Sequence, residues 1–170
     1  VATRIARIVT ADGDLEEAEA GRAVMVTLAD EIDVSRGDVI AAADAPPDVA
    51  DQVAAHVISF SDAPLLPGRP YQALCGPQSL SCNITAIKHR INVDNLDQMS
   101  ARSLALNEIG TCNLAFSRPL VFDPYADCRE TGSLVLVDKI TRDTVAAVTV
   151  KFGLRRAENL RWQDFDIDRR

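Results

Sequence analysis

The stretch Thr111-Cys112-Asn113-Leu114-Ala115-Phe116 decides the fold class, because polar and apolar side chains alternate along most of it. In an extended chain, one face carries Cys112, Leu114 and Phe116, and the other carries Thr111, Asn113 and Ser117. A period of two residues is typical of a β-strand that buries one face. The stretch therefore predicts a strand whose apolar side lines a core.

Similar short runs flank this stretch on both sides, with turn residues between them. The predicted strands cover residues 3–10, 23–28, 39–43, 53–60, 69–74, 80–89, 111–116, 120–122, 133–138 and 144–150. Strands repeating roughly every 8–12 residues, without long helices between them, are typical of an antiparallel sandwich or barrel. Closure also leaves no strand edge unpaired. The predicted fold class is all-β, with an antiparallel, six-stranded closed barrel.

Two segments depart from simple alternation. The inward set of residues 80–89 begins as Leu80, Cys82 and Ile84 and then changes phase at Ile87, which predicts a β-bulge. Residues 92–105 contain apolar residues at only loosely helical spacing, so this segment favours neither a helix nor a strand.

A proline-rich linker, Asp44-Ala45-Pro46-Pro47-Asp48, divides the chain, because prolines do not serve a central strand and stiffen a connection. The predicted domains are residues 1–46, residues 47–155 and a tail or linker at 156–170. The second segment is long enough for the six-stranded barrel. The first holds three or four strands, which is too few to close, so we expect its missing strands to come from other sequence or from a partner.

Charge and hydropathy restrict the partners. The net charge is −7, which disfavours non-specific binding to phosphate backbones, so no nucleic-acid partner is expected. No apolar run approaches the roughly 18 residues that a membrane helix requires, and the N-terminus does not resemble a signal peptide. We therefore expect a cytoplasmic chain without a membrane partner. Because it opens at Val1 without Met, we also expect it to begin partway through a longer protein.

No motif for catalysis or cofactor binding is found in the sequence. It contains no P-loop, no G-x-G-x-x-G and no G-x-S-x-G. Its cysteines and histidines have no zinc-like spacing, and we interpret the cysteines as buried thiols of a reducing compartment; they are Cys75, Cys82, Cys112 and Cys128, with His56 and His89. We therefore predict no catalytic, cofactor-binding or metal-binding residue.

Three charged stretches have both a functional and a simpler interpretation. The acidic stretch at residues 12–19 could suggest Ca²⁺, but it does not fit the EF-hand spacing, and a solvated loop is favoured. Arg36-Gly37-Asp38 matches an integrin-type tripeptide, and a turn is favoured. Lys88-His89-Arg90 could contact a nucleotide or an acidic partner, although a solvated strand end is favoured.

Several short stretches, taken together and in order, carry a family resemblance. They are residues 30–38, 64–71, 87–91, 106–110, 118–125 and 129–138. The order of segments resembles the second and third domains of translation-factor-type GTPases, the group typified by elongation factor Tu. Within that group, residues 3–155 are most similar to the large, GTP-binding subunit of bacterial sulfate adenylyltransferase. Residues 152–163 resemble the end of that subunit, which in some members continues into an adenylylsulfate kinase domain.

The resemblance implies a barrel of the elongation factor Tu C-terminal type, preceded by part of a second translation-factor-type barrel. The family makes adenylyl sulfate and pyrophosphate from ATP and sulfate. A small catalytic subunit transfers the adenylyl group, and the large subunit hydrolyses GTP. GTP and Mg²⁺ would belong to an N-terminal domain that this sequence does not contain, and the chain itself would be inactive.

The same resemblance implies two partners, the small catalytic subunit and the GTPase domain of the same protein. Two alternatives remain at this stage. One is a barrel that binds tRNA or protein within a translation-factor-like GTPase. The other is a structural barrel with no GTPase parent.

Overall fold

The computed structural model describes residues 1–154, so the predicted tail at residues 156–170 lies outside the described part of the chain. The chain divides into two compact units, Val1–Ala45 and Pro46–Arg170. The strands within residues 1–154 are β1 (Ile5–Thr10), β2 (Gly13–Leu15), β3 (Met25–Leu28), β4 (Asp48–Ser59), β5 (Pro70–Cys75), β6 (Gln78–Ile91), β7 (Gln98–Met99), β8 (Ile109–Phe122), β9 (Ser133–Asp138) and β10 (Thr144–Gly153).

The first unit is a three-stranded antiparallel sheet in the order β2-β1-β3. Arg7 and Asp14 form a bidentate ion pair across the β1–β2 hairpin, with a shortest distance of 2.8 Å. β2 was not predicted, because its acidic residues indicated a loop. The predicted strand at residues 39–43 is wrong: this segment has no strand partner, and a strand needs one to satisfy its backbone groups.

The second unit is a closed antiparallel barrel. Its strands follow one another in the order β5-β9-β10-β4-β8-β6, and β6 pairs back onto β5 to complete the ring of six. The short β7 pairs with β6 beyond the ring. The prediction of a six-stranded closed barrel is therefore confirmed. Closure explains why so many short strands are stable together, since every strand of the ring has two neighbours.

Alternation along the strands determines which side chains fill the barrel. Cys112, Leu114 and Phe116 are all buried, as their spacing predicted. The largest fully buried side chains include Tyr71, Phe122, Leu65, Leu80, Ile84 and Leu104. The buried hydrophobic cluster lies entirely between Val53 and Val150. The barrel thus contains its own core.

Register shifts account for the irregular strands. β6 changes register against β8 between Ile84 and Ala86 and again between Ile87 and His89, so the predicted bulge is confirmed. The two strands predicted at 111–116 and 120–122 form one strand, β8. Pro119 is tolerated there because pairing with β4 passes from Ala115 directly to Leu120. Within residues 92–105, the structure contains β7 and an isolated bridge from Leu104 to Leu65.

Candidate functional site

A cavity of about 380 Å³ opens between the β4–β5 loop and the β9–β10 hairpin, and we call it the mouth cavity. It lies at the point where the chain leaves β4 and where β9 turns into β10. Six of its lining residues carry the discussion below: Phe60, Asp62, Arg69, Tyr71, Asp138 and Asp143. Cavities at barrel ends are common places for ligands and partners, because the loops there are free of the sheet's pairing.

Asp138 is the most buried carboxylate at the mouth cavity, with 4% of its surface exposed. It occupies an inward position at the end of β9, after Leu134 and Leu136. Its Oδ1 accepts hydrogen bonds from the amides of Ile140 (2.8 Å) and Thr141 (3.1 Å), and its Oδ2 accepts one from Arg69 Nη2 (2.5 Å). The backbone hydrogen bonds, followed by the charge of Arg69, lower the pKa of Asp138. Its role is to hold the hairpin and β5 together.

Tyr71 lies beside this ion pair and is 1% exposed. The Arg69 guanidinium carbon is 6.0 Å from the centroid of the Tyr71 ring. The hydroxyl oxygen of Tyr71 is buried and has no hydrogen-bond partner in the described part of the chain. Burial raises the pKa of Tyr71. The nearby amide of Leu66 lowers this pKa by a smaller amount. The amide does not form a hydrogen bond that satisfies the hydroxyl. The hydroxyl therefore stays protonated and unpartnered.

The side chains that line the mouth cavity are suited to binding a polar or charged group. Asp138 is ionised and already accepts three hydrogen bonds, so it is poorly suited to take a proton from a substrate. The remaining ionisable groups are exposed carboxylates, a paired guanidinium and a neutral phenol, and serine and threonine hydroxyls also line the cavity. Such groups bind and orient a charged or hydrogen-bonding partner.

The cysteines are free thiols, and most are inert by position. Cys75, Cys82 and Cys112 are buried. Burial raises the pKa of Cys82 and of Cys112 to about 12, and it also raises that of Cys75. Cys128 is half-exposed, and hydrogen bonds from Thr131 and Glu130 lower its pKa, which departs from the predicted pattern of buried thiols.

The two histidines do not meet the cysteines at a metal-like centre. His56 Nδ1 lies 3.2 Å from the hydroxyl of Thr111, and burial lowers the pKa of His56. Among residues 1–154, no group of three or more His, Cys, Asp or Glu side chains is arranged to hold a metal ion.

The charged stretches considered in the sequence have local partners. Arg90 forms an ion pair with Glu108, and Lys88 is exposed on β6. In the tripeptide at residues 36–38, the amide of Asp38 bonds to the Ser35 carbonyl (3.0 Å), and Gly37 adopts a φ of 106°. These contacts are those of a strand end and a tight turn, the interpretations that the sequence favoured.

The mouth cavity was missed in the sequence, because its members are far apart along the chain. Only Asp138 could have indicated the cavity from the sequence. It is a charged residue at a position of β9 where the alternation places inward-facing, otherwise apolar side chains. A buried charge requires partners, so such a position indicates a polar cluster. Neither Tyr71 nor Arg69 carried a comparable signal.

The closed six-stranded barrel and its strand order define the fold of the second unit, and known structures share this fold. The structure of Sup35 complexed with GDP matches with a TM-score of 0.78 at 16% identity, over 90% of this chain and 38% of that one. A second Sup35 structure, complexed with GMPPNP, matches with a TM-score of 0.75. Residues 52–151 match the family described as GTP-eEF1A C-terminal domain-like, and the chain belongs to that family.

Curated relatives give a more specific relationship. The chain is 47% identical to the bifunctional enzyme CysN/CysC of Xylella fastidiosa, over 98% of this chain and 27% of the relative. It is 46% identical to the bifunctional enzyme NodQ of Rhizobium sp. strain BR816, over 95% of this chain and 26% of the relative. It is 42% identical to sulfate adenylyltransferase subunit 1 of Aeromonas salmonicida, over 96% of this chain and 35% of the relative.

The resemblance to sulfate adenylyltransferase large subunits is therefore confirmed as homology of the barrel region. The chain spans between 26% and 35% of the length of the curated relatives just described. Within residues 1–154, no helix is long and apolar enough to cross a membrane.

Proposed function

We propose that this chain is the barrel region of a cytoplasmic sulfate adenylyltransferase large subunit and that it acts by contact, without reacting itself. The observation that carries the proposal is the 42% identity to sulfate adenylyltransferase subunit 1 over 96% of this chain. The relative's designation as subunit 1 supports a partner subunit that completes the enzyme. GTP and Mg²⁺ would be held by another domain of the same protein.

A closed barrel suits a transmitting role. Its strands pair around the whole ring, so the loops at its ends are connected by one continuous sheet. A GTP-binding domain can influence a partner through such a body only if the barrel contacts its two nucleotide states differently. The exposed loops at the barrel ends are the surfaces available for those contacts.

The side-chain chemistry of the barrel supports a non-catalytic role. The buried thiols Cys82 and Cys112 have pKa values near 12, far above the range in which a thiolate nucleophile forms. Asp138, the buried carboxylate at the mouth cavity, is occupied by structural hydrogen bonds.

The test is co-purification of the chain with the small catalytic subunit of sulfate adenylyltransferase, together with an assay of GTP hydrolysis by the chain alone. We expect a complex with the small subunit and no GTP turnover above buffer. Turnover by the purified chain would refute the contact-only role. A failure to bind the small subunit would place the partner surface elsewhere in the large subunit and refute transmission through this barrel.

The alternative of a tRNA-binding barrel is separated by filter binding at low salt. With a net charge of −7, the chain lacks the basic excess on which RNA affinity depends, so we expect no retention of tRNA. Salt-sensitive retention of tRNA would favour the translation-factor alternative instead.

A further inference from the structure

The rim of the mouth cavity carries negative charge that no ion pair neutralises in the part of the chain that the structure describes. Asp62 and Asp143 both line the cavity and are exposed. In the described part of the chain, neither carboxylate takes part in an ion pair, whereas Arg69 is already paired with Asp138. Among the described residues that line it, the cavity therefore has two carboxylates outside any ion pair and no unpaired cationic side chain.

A second, independent feature is the hydroxyl of Tyr71 in the wall of the same cavity. The residue is 1% exposed, and its hydroxyl has no hydrogen-bond partner among residues 1–154. A buried hydroxyl without a partner has lost its hydration without a replacement hydrogen bond, which is unfavourable. The free chain carries that cost at a position where phenylalanine would fill the same space without it.

The third feature of the mouth cavity is an aromatic side chain. Phe60 lines the cavity at the end of β4 and is 48% exposed. Planar guanidinium groups stack on aromatic rings and donate hydrogen bonds to several acceptors at once, whereas an ammonium group is a compact point charge. Carboxylates, a phenol oxygen and an aromatic surface in one cavity are together suited to arginine.

We propose that the mouth cavity is a docking site for an arginine side chain presented by a partner polypeptide. The guanidinium would lie between the carboxylates of Asp62 and Asp143 and provide the missing donor to the Tyr71 hydroxyl. Because that oxygen is covered in the free chain, residues 61–66 of the β4–β5 loop must shift when the side chain enters. The proposal depends on the cavity alone and holds whichever enzyme the barrel serves.

The experiment is an NMR titration of the ¹⁵N-labelled full chain with N-acetyl-arginine amide, compared with N-acetyl-citrulline amide. Citrulline has nearly the same shape as arginine but no charge. We expect the arginine probe to shift amides of residues 61–66 and of the β9–β10 hairpin with a millimolar dissociation constant. We expect the citrulline probe to bind at least about tenfold more weakly, since it cannot form the charge-assisted hydrogen bonds that a guanidinium donates to carboxylates.

Two sets of variants locate the site. Tyr71→Phe should weaken the arginine probe by about fivefold, the equivalent of one lost hydrogen bond, and should leave the chain folded because the hydroxyl has no partner to lose. Tyr125→Phe makes the same chemical change outside the cavity and should leave binding unchanged.

The double variant Asp62→Asn, Asp143→Asn should weaken binding of the arginine probe by about tenfold. The control Glu16→Gln, Glu17→Gln removes the same charge from the first unit and should leave binding unchanged.

Several results would overturn the proposal. These are the absence of shifts with the arginine probe, equal shifts with both probes, or shifts spread over exposed carboxylates of the whole surface. Unchanged binding by the Asp62, Asp143 variant would also overturn it. If Tyr71→Phe leaves binding intact while the carboxylate variant abolishes it, the hydroxyl has no part in docking and the proposed geometry is wrong.

Discussion

At the scale of single residues, Asp138 organises the mouth of the barrel. One carboxylate caps the β9–β10 hairpin through two backbone amides and joins it to β5 through Arg69. Burying a charge is favourable only when hydrogen bonds and an opposite charge replace its hydration. Asp138 has both, which explains how a charged residue can occupy an inward position of a barrel strand.

The pKa of Asp138 makes a prediction about pH. Its pKa is lowered from the ordinary value of 3.8 in the folded chain, so it contributes stability that is present above pH 3.8 and is lost as pH falls through the lower, folded value. Asp138→Asn keeps an oxygen for the amides but removes the charge. We expect the variant to be less stable than the wild type at neutral pH, by urea denaturation, and the difference to shrink steadily below pH 3.8. A difference that is constant with pH would contradict this assignment.

A second residue-scale prediction concerns Ser59. Its side chain is fully buried at the end of β4, and its hydroxyl has no partner in the described part of the chain. Ser59→Ala should therefore leave the free energy of unfolding unchanged or raise it by up to about 1 kcal/mol. Thr111→Val is the matched control, because it removes a hydroxyl that lies 3.2 Å from His56 Nδ1, and it should cost about 1 kcal/mol. A loss of stability for Ser59→Ala as large as for the control would show that its hydroxyl is satisfied in solution.

At the scale of elements, the connection between β8 and β9 depends on a close backbone approach at Gly132. The amide of Gly132 donates to the Cys128 carbonyl (2.9 Å), and its carbonyl accepts from Val150 (2.8 Å), so the segment is pinned against β10. A Cβ at Gly132 would lie 2.5 Å from Tyr125 Cα and 2.6 Å from the Cys128 oxygen. Both obstacles are backbone atoms, which cannot rotate away.

Gly132→Ala should therefore destabilise the barrel by about 2–3 kcal/mol, the upper part of the range for overpacking. Gly110→Ala is the comparison, since its Cβ would meet mainly the end of the Leu104 side chain, at 2.7 Å, which can adjust more easily than backbone atoms. We expect Gly110→Ala to cost about 1 kcal/mol or less. Chemical denaturation measures both, and equal costs would contradict the difference drawn here between backbone and side-chain obstacles.

At the scale of the whole molecule, the two units differ in what they bury. The core cluster lies wholly within the barrel, and no residue between Val1 and Ala45 is buried. Exposed apolar side chains in the first unit include Ile5, Met25 and Ile40. A sheet that buries so little cannot offset its own conformational entropy by hydrophobic burial.

Removing residues 1–45 should therefore leave the barrel folded. We expect its thermal midpoint to stay within about 4 °C of that of the full chain, which corresponds to a change under about 1 kcal/mol. Hydrogen exchange on the full chain is the companion measurement, and it should show slow amides in β4, β8 and β10 and fast ones in β1–β3. A truncated barrel that fails to fold would mean that the first unit provides stability that its exposure does not indicate.

Turn residues and the alternation of polar and apolar side chains were sufficient to predict the closed barrel. The alternation within a single strand already indicates which of its faces is buried. Cys112, Leu114 and Phe116 and the bulge near Ile87 were predictable for that reason. The structure of residues 39–43 and 117–119 was not predictable, because strand pairing depends on a neighbour that local sequence does not specify. The mouth cavity could not be predicted for the same reason. It is formed by the β4–β5 loop together with the β9–β10 hairpin, which lies far along the chain.

Binding of this barrel to the GTP-binding domain of a sulfate adenylyltransferase large subunit from the same organism, measured by calorimetry in two nucleotide states, tests transmission by contact most directly. If the barrel passes on the nucleotide state, its dissociation constants for the GDP form and for the form with a non-hydrolysable GTP analogue should differ by roughly tenfold, within the usual range of coupling energies. Equal dissociation constants in the two states would contradict the account, because a body that contacts both states alike transmits nothing.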